Sequence, residues 1–346
     1  MGSWFTALFW AAFAGGLWAA RRRVAFWPLL ALGLLLLFNQ AFTPGFFALE
    51  IRDGHLYGTR IDILNEGAKV MLLSLGMTLV IATGGIDLSV GAIMAIAGAA
   101  AAQTVVALHL PAPLAIAAAL GVSALAGAWN GLLVAFLRIP PIVATLILMV
   151  AGRGIAQLIT GGQIITFDDP VLAYLGNGWL FGLPFTLTIV LAAFGATALL
   201  TRKTALGLFI EAIGDNETAS RFTGLPAPTV KFFVYVFSGL CAGLAGLVAA
   251  GNIRSADANH AGLYLELDAI IAAVVGGTSL TGGRFYLGGA LLGALLMQTL
   301  TTTLYALNVS ADTATVPKAL VILAACLLQS PNLRARLARV RRRRTP

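Results

Sequence analysis

Apolar runs of roughly 18–25 residues recur from one end of this chain to the other, and each is long enough to cross about 30 Å of hydrocarbon as a helix. In lipid no water is available to satisfy backbone N–H and C=O groups, so a spanning run must bond within itself. A membrane β-barrel would alternate apolar and polar residues, and this sequence does not. The scarcity of charge agrees. Of 346 residues, 59% are hydrophobic and 10% charged, against about a quarter charged in a soluble domain. Mean hydropathy is +0.91. The fold class is therefore all-α integral membrane, a polytopic helical bundle of about ten transmembrane helices.

The ten spans are expected near residues 24–43, 66–83, 87–108, 113–137, 141–160, 183–200, 231–250, 265–280, 285–307 and 316–330. Turn signals separate them: Pro111 and Pro113, Pro140 with Pro141, Asp168-Asp169-Pro170, and Gly282-Gly283. Cytoplasmic connections of membrane proteins are enriched in Lys and Arg. Placing Arg21–Arg23 inside and alternating sides puts Arg138, Arg202, Lys203, Arg221, Lys231, Arg284 and the seven tail arginines inside as well. Both ends of the core are then cytoplasmic, and removing a span from the middle would strand the Arg202–Lys231 group outside.

The chain divides into an apolar extension with its arginine cluster (1–23), a membrane core (24–330) and an arginine-rich tail (331–346). The extension is either an eleventh span or an interfacial helix. Its basic residues follow the apolar stretch, the reverse of a secretory signal. The net charge of +8 resides mostly in the tail, where seven arginines lie between Arg334 and Arg344. A basic segment after a hydrophobic helix lies against anionic lipid, so no nucleic-acid surface is implied. Cys241 and Cys326 both fall in apolar runs and read as small buried hydrophobes. His55, His109 and His260 are scattered, and no metal site follows from them.

Small residues at spacing four occur at Gly127/Gly131, Gly239/Gly243 and Gly289/Gly293, where they permit close backbone approach between helices in lipid. Gly-Gly pairs at 84–85 and 276–277, each before a Gly- and Ala-rich helix, hint at two related halves.

The connection Thr201–Lys231 is polar and much longer than the other inner ones. Asp215 or Asn216 can cap a short helix running to about Phe222, with Gly224 and Pro226 ending it. Such a helix would show Glu217 and Arg221 beside Phe222. It reads either as a solvated connector or as a docking helix for a groove on a cytosolic partner.

Several segments resemble a known family. E-A-I-G-D-N at 211–216 with A-S-R-F-T-G-L at 219–225 is similar to the coupling loop of ATP-binding-cassette (ABC) importer permeases. M-T-L-V-I-A-T-G-G-I-D-L-S-V-G at 77–91 and G-G-T-S-L-T-G-G-R-F at 276–285 resemble the ribose-type sugar permeases. The galactofuranose-importer permeases resemble it most, through 144–160, 201–207 and 256–270, and the likeness covers about residues 24–330. The apolar first 20 residues and the long arginine tail depart from the pattern.

The resemblance implies a bacterial inner-membrane importer. Its parts would be a cytosolic ATPase, a second permease (identical or related) and a periplasmic or extracytoplasmic sugar-binding protein. It also implies that Glu211, Ala212, Gly214, Asn216, Arg221 and Gly224 carry the coupling contact, and that Arg52, Arg60 and Arg254 are candidates for docking the binding protein. No lysine follows a glycine, so the phosphate-gripping G-x-x-x-x-G-K-[ST] loop is absent. ATP and Mg are thus expected on the partner ATPase, with no cofactor on this chain.

Charged and other polar residues within spans are expensive in lipid and become candidates for the substrate path. They are Asp87, Ser89, Asn130, Arg153, Gln157, Glu266, Asp268 and Gln298. Asp87 reads as the N-cap of the helix starting near Leu88, as a path residue, or as both. Arg153 reads as the ion-pair partner of Glu266 or Asp268, and the amides as sugar ligands or interhelical bonds. An ion-coupled secondary transporter would also show buried charges and ten helices, but would not need the 201–231 loop. A membrane enzyme would need a clustered catalytic set, which the scattered His and Cys residues do not offer.

Overall fold

The computed structural model describes residues 26–52, 54–310 and 313–320, together with Trp10, Phe13, Gly15 and Gly16. The arginine cluster, the end of the last expected span beyond 320, Cys326 and the tail lie outside the described residues.

The helices run in chain order as α1 (Phe26–Phe42), α2 (Thr59–Ala82), α3 (Val90–Val106), α4 (Ala112–Gly131), α5 (Pro141–Thr160), α6 (Pro170–Asn177), α7 (Phe185–Lys203), α8 (Leu206–Asp215), α9 (Glu217–Phe222), α10 (Ala227–Ile253), α11 (Leu265–Val275) and α12 (Leu287–Ala306). One wider π turn, Leu132–Phe136, prolongs α4 until Pro140 and Pro141 stop it. Among the described residues six helices are long and apolar enough to cross a membrane: α2, α4 with its π turn, α5, α7, α10 and α12. Helices α1 and α3 are apolar but have 17 residues each, and α11 has 11.

Two departures from the expected spans have clear causes. Helix α2 begins at Thr59, well before the apolar run, because Asp62 and Glu66 sit exposed in its first turns and Lys69 pairs with Glu66 at 2.5 Å. Charge ends the greasy stretch without ending the helix. Conversely, α3 and α11 are shorter than their apolar runs, because residues 83–89 and 276–286 leave the helix at glycines. Gly84, Gly277, Gly282 and Gly283 all have positive φ there.

Helix α10 is the centre of the bundle, packing against α2, α3, α4 and α6. The spacing-four glycines do what their pattern suggested. Gly127 and Gly131 on α4 lie against the backbone at Tyr235 and Phe232, while Gly239 and Gly243 on α10 lie against Ser123. On the other flank Gly289 and Gly293 of α12 press on Gly276 and Ala272 of α11's line. A methyl at most of these positions would overlap backbone atoms.

Three two-stranded pairs gather at one end of the bundle. Strand β1 (Glu50–Arg52) pairs with β2 (His55–Tyr57), β3 (Ile165–Thr166) with β6 (Ser255–Ala256), and β4 (Trp179–Leu180) with β5 (Leu183–Pro184), all antiparallel. His55 stacks on Trp179 with ring centroids 5.0 Å apart, so the first and third pairs touch. Helices α8 and α9 occupy the opposite end.

Helices α3 and α11 do not start at an end. Met94 lies against Gly246 and Gly98 against Ala250, so α3 runs beside the later part of α10, toward the strand end. Helix α11 runs the other way, antiparallel to α12. Their starts meet inside the bundle, where Gly91 abuts the Gly262 backbone and the Glu266 carboxylate.

Candidate functional site

The sequence-expected residues fall into separate groups. At the base of α3, the fully buried Asp87 receives two hydrogen bonds on Oδ1, from the Ser89 backbone N–H at 3.0 Å and the Ser89 hydroxyl at 2.6 Å. Its Oδ2 receives the Ser238 hydroxyl of α10 at 2.9 Å. Asn130 of α4 donates to the Ser89 hydroxyl at 2.7 Å. Beside this, Thr145 of α5 accepts the Leu88 N–H at 3.1 Å. Asp87, Ser89 and Asn130 are thus brought together, joined by Ser238 and Thr145, which sequence reasoning missed.

Asp87 is not the N-cap residue. Helix α3 begins at Val90, Ser89 holds the cap position, and the carboxylate works from two residues upstream. An oxygen acceptor beside the unpaired N–H groups that open a helix is favourable. The network ties the 83–89 linker to α4, α5 and α10 at once.

The second group lies on the segment between β6 and α11. Arg153 of α5 donates to the carbonyls of Ala261 at 2.6 Å and Ala258 at 3.1 Å. The expected pairing with Glu266 survives only as a charge interaction without a close contact: the guanidinium's direct partners are loop carbonyls, which a helix-period pattern cannot reveal. One turn on, Gln157 donates to Asn259 Oδ1 at 2.6 Å. The cationic partner of Asp268 is instead Lys318, at 2.8 Å, with both side chains largely buried. Gln298 stands apart on α12, its methylenes against Gly67 of α2.

At the α8 end the capping expectation holds. Asn216 Oδ1 accepts the Ala219 N–H at 2.9 Å, α9 runs to Phe222, and Gly224 turns with φ +87°. A second helix, α8, precedes it and carries Glu211, Ala212 and Gly214. Gly214 lies on the Ala82 carbonyl, where α2 ends, and on Gly283. Gly283 itself donates its N–H to that same carbonyl at 3.0 Å. The segment is therefore seated where α2 and the α11–α12 connection converge. Outward it shows Phe222, 89% exposed, and Leu208, 68% exposed.

Glu217 bonds both Arg221, at 2.6 Å, and Lys231 at the start of α10. Burial alone would raise the Glu217 carboxyl, but hydrogen bonds and charge from Lys231 and Arg221 outweigh it and hold it below the usual range. The Arg221 side chain is about a third exposed, so losing this pair should cost the fold about 1 kcal/mol or less. Arg221→Glu is therefore expected to leave the protein in the membrane. If α9 is the docking helix that the resemblance implies, a misplaced charge there would cost the partner several kcal/mol and cut ATP-driven uptake about tenfold or more. Immunoblotting of membranes and uptake by reconstituted vesicles check the two halves.

The three external arginines differ. Arg52 pairs with Glu50 on the hairpin, exposed. Arg254, with φ +49°, sits 3.6 Å from the exposed Asp168. Arg60 does not project: it donates to the Phe47 carbonyl at 2.7 Å and lies 5.0 Å over the Phe47 ring, which makes it an anchor for the 43–49 turn. Among the described residues no group of three or more His, Cys, Asp or Glu could hold a metal ion.

Residues 59–326 match the family described as the branched-chain amino acid transport system / permease component. A galactofuranose transporter permease protein of Escherichia coli (strain K12) is 51% identical over 92% of this chain and 94% of its own length. A fructose import permease protein of Bifidobacterium longum is 40% identical over 92% of this chain and 91% of its own. A ribose import permease protein of E. coli (strain K12) is 37% identical over 87% and 92%. No solved structure matches the chain.

Proposed function

The chain belongs to the branched-chain amino acid transport system / permease component family, and from that premise we propose that it is the membrane-spanning subunit of an ABC importer for a monosaccharide, galactofuranose or a ribose-like sugar. Its relatives named above import sugars, and the likeness runs the length of the chain. The geometric observation that carries the coupling role is Gly214 seated on Ala82 and Gly283. A cytosolic ATPase that grips α9 and the exposed Phe222 would pull directly on the end of α2 and on the α11–α12 connection.

The remaining parts of this reading are a second permease and an extracytoplasmic sugar-binding protein docking near Arg52 and Arg254. ATP and Mg would be handled by the ATPase. Ten spans with both ends of the core inside fit the six long helices, α1, α3, α11 and the expected span from 316. The chain is a multi-pass protein of the bacterial cytoplasmic membrane.

Co-reconstitution tests this. Vesicles holding this chain, a second permease and the ATPase, supplied with sugar-binding protein, should take up labelled galactofuranose or ribose only when ATP is present. Uptake by this chain alone that collapses with an ion gradient would replace the reading with a secondary transporter.

A further inference from the structure

The strand end of α10 is Ile253, and from there the chain turns back into the bundle before α11 begins. Its depth can be gauged from contacts. Gly246 faces Met94, and Gly91, three residues earlier on α3, touches Gly262. Gly262 thus lies about ten residues, or roughly 15 Å at about 1.5 Å per residue, below the end of α10. That is near the middle of a hydrocarbon layer of about 30 Å.

This segment is neither helix nor paired strand after Ala256, and it is not buried on its outward side. Asn259 is exposed, the His260 side chain is 78% exposed and Tyr264 is 55% exposed. Tyr264 also has φ +63°, a left-handed conformation that a bulky side chain adopts only at a cost. Irregular backbone at membrane depth cannot face lipid; it is tolerated only against protein or a water-filled cavity. Two side chains of α5 hold the segment there: Arg153 on the Ala258 and Ala261 carbonyls, Gln157 on Asn259.

We propose that Asp257–Tyr264 is a re-entrant segment lining the aqueous path of the cargo, with the Tyr264 ring and the Asn259 and Gln157 amides facing the permeant molecule and Arg153 acting as the positioning residue. An aromatic face beside carboxamides suits a neutral polyhydroxylated ligand, whose C–H faces and hydroxyls need an amphipathic wall. The ligand class rests on the sugar-importer reading above; the aqueous path does not.

Thiol labelling in the assembled importer separates the two. With both native cysteines replaced by alanine, Tyr264→Cys and His260→Cys are each treated with a membrane-impermeant methanethiosulfonate. Leu191→Cys, on the exposed face of α7 near its middle, serves as the dry control. Because only a hydrated thiolate reacts, both loop cysteines should label at least about tenfold faster than the control. Labelling of both at the control rate would overturn the proposal, since the segment would then be covered by dry protein. Should Tyr264→Cys fail to assemble, His260→Cys decides alone. Transported monosaccharide, supplied with binding protein and ATP, should slow Tyr264→Cys labelling. Fast labelling that no monosaccharide alters would keep the aqueous path and overturn the sugar assignment.

Discussion

Gly214→Ala is expected to abolish ATP-driven uptake, and Gly214→Asp to do so more completely. The position has no room for a side chain, since even a methyl would overlap the Ala82 carbonyl oxygen and crowd the Gly283 nitrogen. Neither atom can retreat cheaply. Both are backbone, they are hydrogen-bonded to each other, and Gly282 beside them is already left-handed at φ +85°. Overpacking typically costs about 1–3 kcal/mol; against rigid backbone the upper end is expected, and here it can be relieved only by lifting α8 off its seat. Such a shift would leave the spans in place but sever the link between the nucleotide-consuming partner and α2. Uptake should fall by about a hundredfold or more, at roughly tenfold per 1.4 kcal/mol, while the partner continues to hydrolyse ATP. Wild-type uptake by Gly214→Ala would remove this contact from the coupling route.

Asp87→Ala should produce the largest loss of stability of any single polar substitution in the described core. The carboxylate accepts three hydrogen bonds in a site without solvent, and its removal orphans the Ser89 N–H and forces two hydroxyls to find new partners. Leaving buried donors unpaired costs about 1–3 kcal/mol each. A total of about 3–4 kcal/mol is expected, read as a drop in the thermal midpoint of the detergent-purified protein. Asp87→Asn keeps an acceptor for the Ser89 N–H and should lose less than half as much. Equal losses from the two variants would mean that the charge, rather than the hydrogen-bond geometry, holds the linker.

What could be read in advance follows from which interactions are local. The short cytoplasmic helix was legible because Asn216 caps it by a contact three residues away, and its polar setting contrasts with the runs around it. The α4–α10 and α11–α12 seams were legible because a spacing of four places glycines on one helix face. The gaps between expected spans near 84–86 and 251–264 were in view, but the return of residues 83–89 and 257–264 into the bundle was not, because only partners roughly 40 to 150 positions away hold them there. The same distance hid the role of Arg153, whose acceptors are carbonyls and leave no trace in the identity of Ala258 or Ala261. Arg60 differs for another reason: apolarity marks the expected span only from residue 66, whereas α2 begins at Thr59, so Arg60 lies within a helix.

The two glycine seams have a mechanical consequence. Where backbones touch without intervening side chains, there are no rotamers to adjust and no slack to take up, so α4 with α10, and α11 with α12, behave as stiff plates. Helix α2 stands between them, held to one by Gly76 against Ser238 and to the other by Gly67 against Gln298. Any large opening of this subunit must therefore shear along α2, which makes that helix the axle of the machine and not merely one of its walls.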